Sequence, residues 1–318
     1  MSMIRDEISL KIEGSIKVDK PTDKKWEVKI VHPEDARLRR AYNRLTEAVY
    51  GFQFEDWYQA GCWKSQHVPY VLVCDDEAAA NVSVNIMELD VFGERKAGIQ
   101  LGTVMTAKEY RGQGFAGLLM EKVLEEYRDR YDMIYLFAND TVLDFYPRYG
   151  FEKLPQFCYA REIRQDQPGD HEFHVRKLHL DREEDKELAI KFMKKGNPFS
   201  SLAMVNNAEL YMFYVMMSYG EQLYYIEELE VLVFAEYQGD RLILAEVLCE
   251  KTVEASLLQI MKILANDPVT QVELQFTPKE TEGYHIEELK EECTLFYTGK
   301  DTELFRDKKC MFPVLSHT

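Results

Sequence analysis

Residues 104–117 read Val104-Met105-Thr106-Ala107-Lys108-Glu109-Tyr110-Arg111-Gly112-Gln113-Gly114-Phe115-Ala116-Gly117, and they decide the fold. An apolar strand pattern, Ile99–Thr106, runs into an arginine and two glycines. An amphipathic helix pattern follows, with Phe115, Leu118, Leu119 and Val123 on one face. Glycine lets a backbone approach a ligand closely, and the first N–H groups of a helix have no internal acceptor. Such a turn suits a pyrophosphate held on backbone donors at the positive end of a helix dipole. A glycine turn with only a structural role is the plainer alternative.

Two cofactor classes compete for this turn. Gly112-Gln113-Gly114-Phe115-Ala116-Gly117 fits the dinucleotide fingerprint G-x-G-x-x-G, with Asp140 downstream as the acidic residue. That reading makes the protein an NAD(P)-binding oxidoreductase. It needs the first glycine directly after its strand, yet the polar segment Thr106–Arg111 intervenes. It also needs a parallel β–α–β series. The preceding runs Tyr70–Cys74, Ala79–Leu89 and Ile99–Thr106 read instead as an antiparallel meander.

The second class fits better. Arg111-Gly112-Gln113-Gly114-Phe115-Ala116 also matches Arg/Gln-x-x-Gly-x-Gly/Ala. Downstream stand the strand Met133–Ala138, then Asn139, then Phe145-Tyr146-Pro147-Arg148-Tyr149-Gly150-Phe151. With both motifs in this order, residues 26–165 resemble the GCN5-related N-acetyltransferase (GNAT) superfamily. The resemblance implies an α/β fold on a mixed sheet and acetyl-CoA as co-substrate. It implies that Val104, Met105 and Thr106 pair with the pantetheine arm, inserted where this strand splays from Met133–Ala138. Arg111, Gly112, Gln113, Gly114, Phe115 and Ala116 would hold the pyrophosphate, and Asn139 would belong to the second cofactor motif. Tyr146 would be the general acid for the leaving thiolate, and the backbone N–H near Met105 the donor to the thioester oxygen. Glu88 and Asp90, on the strand before, are candidate bases, with water as the alternative. Pro147 departs from the pattern, since proline disfavours helix at the residue before it.

Composition narrows the partners. The 318-residue chain has room for two domains, and 46% hydrophobic residues suffice for packed cores. A net charge of −17 argues against nucleic acid or an anionic membrane and is compatible with a cationic acceptor. Around the glycine turn the balance differs locally, with Lys108, Arg111 and Lys122. No apolar run reaches membrane-spanning length, and the opening residues lack the apolar core of a signal peptide. Six scattered cysteines without a Cys-x-x-Cys pair read as reduced thiols of a cytoplasmic protein. His171, His174 and His179 cluster near a domain junction and read as a solvated face, so no metal is expected.

Along the chain, residues 1–25 read as an extension with at most one added strand. Trp26–Val31 is a strand and Pro33–Tyr50 a helix. The aromatic run Phe52–Lys64 reads first as core and second as a pocket wall. Residues 161–170, with Pro168-Gly169, form the linker candidate. The second half, 171–318, then repeats the order of the first. A strand at Phe173–Leu178 precedes a helix at Asp181–Lys195, with Asp181 as its N-cap. A hairpin of Glu230–Tyr237 and Arg241–Glu250 follows, then a helix at Val253–Leu264 and a strand at Gln271–Phe276. Its join, Cys249-Glu250-Lys251-Thr252-Val253-Glu254, carries two glutamates and no glycine. This half is expected to be a degenerate copy without a CoA site; an unrelated α+β domain is the other reading. The function expected is transfer of acetyl from acetyl-CoA to a primary amine, the alternative being a non-catalytic CoA-binding protein on the same fold.

Overall fold

A computed structural model describes residues 25–164, 173–266, 268–290, 293–300 and 302–317. The extension at 1–24 and the linker residues 165–172 lie outside the described residues. The chain divides into two compact units: the described part of Met1–Ile86 with Ile99–Tyr131, and Met87–Gly98 with Asp132–His317.

The first unit opens with β1 (Glu27–Ile30) and helix α1 (Ala36–Tyr50). Asp35 caps α1 by accepting from Arg37 N and Leu38 N, and Gly51 ends it in the left-handed conformation. The short α2 (Glu55–Gln59) leads to β2 (His67–Cys74), β3 (Glu77–Val91) and β4 (Glu94–Thr106). The order is β1-β2-β3-β4. β1 and β3 pair antiparallel with β2, and the two-residue turn Phe92-Gly93 joins β3 to β4. A connection this short returns the chain antiparallel, as the meander expectation requires. Helix α3 (Phe115–Tyr127) buries Phe115, Leu119, Met120, Val123, Leu124 and Tyr127, while Leu118 is only half-buried. Within the run Phe52–Lys64, Phe54, Trp57, Cys62 and Trp63 are core; Trp57 stacks on Trp63 and Phe54 on Tyr42, with His67 packed against Phe54.

In the second unit, β5 (Met133–Asn139) is nearly all buried, as its continuous apolar run predicts. The chain continues through β6 (Glu152–Leu154), β7 (Phe157–Glu162), β8 (Val175–Lys177), α4 (Glu183–Met193), β9 (Leu202–Val205) and α5 (Ala208–Tyr214), which runs into a π-helical turn at Val215–Tyr219. Then come β10 (Leu223–Ile226), β11 (Val231–Gln238), β12 (Arg241–Leu248), α6 (Leu257–Leu264), β13 (Gln271–Leu274), β14 (His285–Glu288), β15 (Cys293–Gly299) and α7 (Thr302–Asp307). One sheet has the order β14-β7-β13-β12-β11-β10-β8, with β12 and β13 parallel and its other neighbours antiparallel. β15 pairs antiparallel with both β5 and β6, giving the order β5-β15-β6, and β9 lies along Glu88–Val91. The fold class is therefore mixed α/β with mixed sheets, as expected.

The repeat foreseen in sequence is present in topology. β8, β10, β11 and β12 stand in the order of β1, β2, β3 and β4, and β13-β7-β14 stands in the order of β5-β15-β6. The order conceals an exchange. β7 follows β6 directly in sequence yet pairs with β13 and β14, while β15 comes back from near the end of the chain to pair with β5 and β6. Arg161 and Glu162, read as linker, are the last residues of β7.

Asp181 does not cap α4. The N-cap is Arg182, without a side-chain bond. Asp185, in the first turn, instead accepts from His179 N at 2.9 Å and pairs with Arg176. The helix expected from Val253 begins at Leu257, because Ser256 provides the cap. No described helix is long and apolar enough to cross a membrane.

Candidate functional site

In the first unit, β4 carries an irregularity just before the predicted site. Thr103 has φ +41°, and among the described residues it is the only non-glycine with positive φ inside a strand. A left-handed residue in a strand bends it and interrupts its pairing. Beyond it, Val104 and Thr106 are half-buried and Met105 is buried. The Val104 carbonyl accepts from Tyr50 OH at 3.1 Å, and the Thr106 carbonyl from Arg111 Nε at 3.2 Å. Ala107 N–H bonds to Ala79 O at 2.8 Å, which closes the strand against β3.

The turn that follows is built for positive φ. Gly112 sits at +74° and Gly114 at +83°, and a Cβ on either would meet nothing within 4 Å. Backbone conformation, not crowding, is what requires glycine here. Both are exposed, as is Arg111. Gly114 is the N-cap of α3, and no side chain caps this end. Leu118 N–H is the first to find an intrahelical acceptor, Gly114 O, at 3.0 Å. Ala116 is half-buried, and Gln113 is half-buried with its Nε2 3.4 Å from Glu109 O. Phe115 anchors the helix start against Trp26 and Tyr110. Lys108 is exposed beside the turn, whereas Lys122, two turns along α3, faces Glu125 at 3.4 Å.

Asn139 and Tyr146 belong to the second unit. Asn139 ends β5, is exposed, and accepts from Thr141 N at 3.0 Å, capping a short 3-10 turn. Tyr146 begins the 3-10 turn Tyr146–Tyr149, which Gly150 closes at φ +82°. The shortening expected from Pro147 is thus present. Tyr146 is buried, with its ring 5.1 Å from Phe145 and 5.3 Å from Phe296. The structure therefore carries Val104–Thr106 and Arg111–Ala116 on one continuous strand–turn–helix segment, and Asn139 and Tyr146 on the other unit.

Glu88 and Asp90 have other occupations in that second unit. Glu88 pairs with Arg95 at 3.2 Å. Asp90 accepts from Gly93 N at 3.0 Å and faces Lys251 at 3.4 Å. Both line a cavity of about 300 Å³ with Lys194, Lys195 and Lys279. They lie where β4 begins, and Val104–Thr106 lie where it ends.

The second-half counterpart of the glycine turn has the same length, Cys249–Ser256 against Ala107–Gly114. Its chemistry differs. Ser256 accepts from Gln259 N at 3.1 Å, so one of the free N–H groups at the start of α6 is already taken by its own side chain. Glu250 is paired with Lys195 at 2.5 Å. Among the described residues no group of His, Cys, Asp and Glu is arranged to hold a metal, and His174 faces Glu228. Sequence reasoning missed Thr103 and Tyr50. Nothing marks a strand threonine as left-handed, and Tyr50 is one of several aromatics at the end of α1.

Residues 34–154 match the family model described as an acetyltransferase (GNAT) domain. Nothing matches among curated proteins. Among solved structures, a conserved protein of unknown function from Enterococcus faecalis, described as a probable N-acyltransferase, is similar at 13% identity and TM-score 0.56, over 89% of this chain and 75% of that one. Eis1 from Mycobacterium abscessus is similar at 12% identity and TM-score 0.54, over 84% and 73%. A GCN5-related N-acetyltransferase from Kribbella flavida is similar at 18% identity and TM-score 0.51, over 85% and 71%. At these identities the likeness is one of fold.

Proposed function

From the match of residues 34–154 to a GNAT acetyltransferase domain, we propose that the protein is an N-acetyltransferase that moves acetyl from acetyl-CoA to a primary amine of a small molecule or peptide. The observation that carries this reading is the uncapped start of α3, entered through Arg111 and two exposed glycines after β4 and the 3-10 turn Lys108–Tyr110. It offers unclaimed N–H donors and a fixed cation, the requirements of a pyrophosphate.

In this reading Arg111, Gly112, Gln113, Gly114, Phe115 and Ala116 hold the pyrophosphate. Val104, Met105 and Thr106 present backbone groups to the pantetheine arm, and Asn139 lies in the second cofactor segment. The amine attacks the thioester carbon, and the oxygen gains charge that the Met105 N–H stabilises. The tetrahedral intermediate collapses with breakage of the C–S bond, and Tyr146 donates its phenolic proton to the sulfur. The amine's proton leaves to a base or to water. In this reading the second half binds no CoA, because its join has no glycine and carries Glu250 and Glu254, and Ser256 takes one N–H at the helix start. One CoA per chain and a cytoplasmic location complete the reading.

The test is a thermal-shift titration with CoA, NAD and NADP, followed by release of free CoA from acetyl-CoA with a panel of amines. CoA is expected to raise the Tm of the wild type and not that of Gly114→Glu, which puts bulk and negative charge at the helix start. Equal stabilisation of both proteins would move the site elsewhere. Binding without turnover on any amine would favour the non-catalytic alternative.

A further inference from the structure

Under the bend in β4 lies a buried polar network confined to the first unit, and a single backbone carbonyl fixes its polarity. Gln100 Nε2 donates to Leu101 O at 2.9 Å, so its Oε1 must accept from Asn85 Nδ2 at 2.7 Å. The Asn85 oxygen then faces His67 Nδ1 at 2.6 Å, which places the proton on Nδ1 and leaves Nε2 an acceptor. Tyr42 OH donates to that Nε2 at 3.2 Å. With its only proton committed, Tyr42 accepts from Ser83 Oγ at 3.0 Å, and Ser83 accepts from Thr103 Oγ1 at 2.7 Å. Asn81 Nδ2 closes the array, bonding the Thr103 carbonyl at 2.8 Å and Ser83 Oγ at 2.9 Å. Tyr42, Asn81, Ser83 and Gln100 are fully buried, and His67 and Asn85 nearly so.

The chain of donors runs one way, from the Thr103 hydroxyl to the Leu101 carbonyl, and begins at the residue with φ +41°. A β-branched residue is strained there and stays only when its surroundings over-determine it. Thr103 is held at both its hydroxyl and its carbonyl. The network does not read as a sink for the substrate's proton, because burial lowers His67 to about 4 and keeps it neutral near pH 7.

We propose that Tyr42, His67, Ser83 and Asn81 are positioning residues that hold Thr103 in the left-handed conformation and thereby set how Val104, Met105 and Thr106 present their backbone to CoA. This rests on the CoA-binding reading above. Were Thr103 to relax to an extended conformation, the alternation of the strand beyond it would change face.

The test uses glycine as a rescue. Glycine adopts positive φ without help, so Thr103→Gly makes the bend independent of the network. Tyr42→Phe is expected to weaken CoA binding by about tenfold in the wild-type background, the factor that matches strain of this kind. In the Thr103→Gly background the same change is expected to cost no more than about twofold, by calorimetry. Crystal structures of the variants give φ at residue 103 directly: Thr103 should leave the left-handed region in Tyr42→Phe, and glycine should keep it in the double variant. Ser83→Ala repeats the comparison should Tyr42→Phe not fold. Equal losses in both backgrounds, with Thr103 still left-handed, would overturn the proposal and make the network a matter of stability alone. If the wild type binds no CoA, the CoA-binding reading fails, and the φ comparison alone decides what the network holds.

Discussion

Replacing Glu246 with glutamine should remove a pH-dependent weakness from the fold. Glu246 lies on β12 and is only 1% exposed. One carboxylate oxygen accepts from Asn197 Nδ2 at 2.6 Å and Val247 N at 3.2 Å, and the other from Tyr211 OH at 3.0 Å. Burial pushes the carboxyl up from 4.5 to about 7, against the pull of these hydrogen bonds. Below pH 4.5 the group is protonated in folded and unfolded chains alike, and no penalty exists. Between 4.5 and 7 the unfolded chain ionises while the folded one keeps its proton, so stability falls as pH rises. Above 7 the full cost is present, about 3 kcal/mol at about 1.4 kcal/mol per pH unit. Glutamine has no charge to bury. Its carbonyl oxygen can keep Asn197 and Val247, and its amide can donate to the Tyr211 oxygen once that hydroxyl rotates. Urea denaturation from pH 4.5 to 8 should show the variant within about 1 kcal/mol of wild type at the acid end and about 3 kcal/mol more stable at pH 8. A difference between the two proteins that stays constant across this range would refute the argument, because the other carboxylates are common to both.

Three further outcomes are expected. Tyr146→Phe should lower kcat by about 10²–10⁴-fold with CoA affinity nearly unchanged; a rate within about twofold of wild type would make Tyr146 a packing partner of Phe145 and Phe296. Gly114→Ala meets open space but must hold φ +83°, so it should cost about 1 kcal/mol in denaturant unfolding; a neutral result would mean the turn relaxes. Ser256→Ala removes the cap of α6 and should cost about 1 kcal/mol, with CoA binding unaffected; a change in CoA affinity would count against a ligand-free second half.

The sequence was most legible where periodicity is long. α1, α3 and the meander β2–β4 stand close to where their patterns place them, because each buries a whole stripe or face. β5 was legible as an unbroken apolar run. The glycine turn was legible because positive φ and an uncapped helix start leave a signature in residue type. β9, β14 and β15 were not read as strands. They are four to seven residues long, and their partners lie far away in sequence, as Glu88 does for Val205 and Asn139 for Cys293. Asp181 illustrates a local rule not followed: the helix starts after Arg182 with no side-chain cap, and Asp185 of its first turn bonds His179 N and Arg176 instead. Thr103 was illegible for a different reason. Its conformation is imposed by Asn81 and Ser83 of the neighbouring strand, and no local pattern records that.

The exchange of β7 and β15 has a consequence for biosynthesis. Asn139 of β5 and its partner Cys293 of β15 are 154 positions apart. At about 5–20 residues per second, a ribosome needs roughly 8–30 s to make the second after the first. Throughout that interval one edge of β5, Met-Ile-Tyr-Leu-Phe-Ala-Asn, has no strand to cover it, and β7 in turn waits for β13. An uncovered apolar edge is a template for wrong partners. The nascent first half must therefore stay open, or be held by a chaperone, until nearly the whole chain has been translated. A release before residue 293 would leave that edge permanently bare, so clipped or prematurely terminated chains should aggregate instead of yielding a working N-terminal fragment.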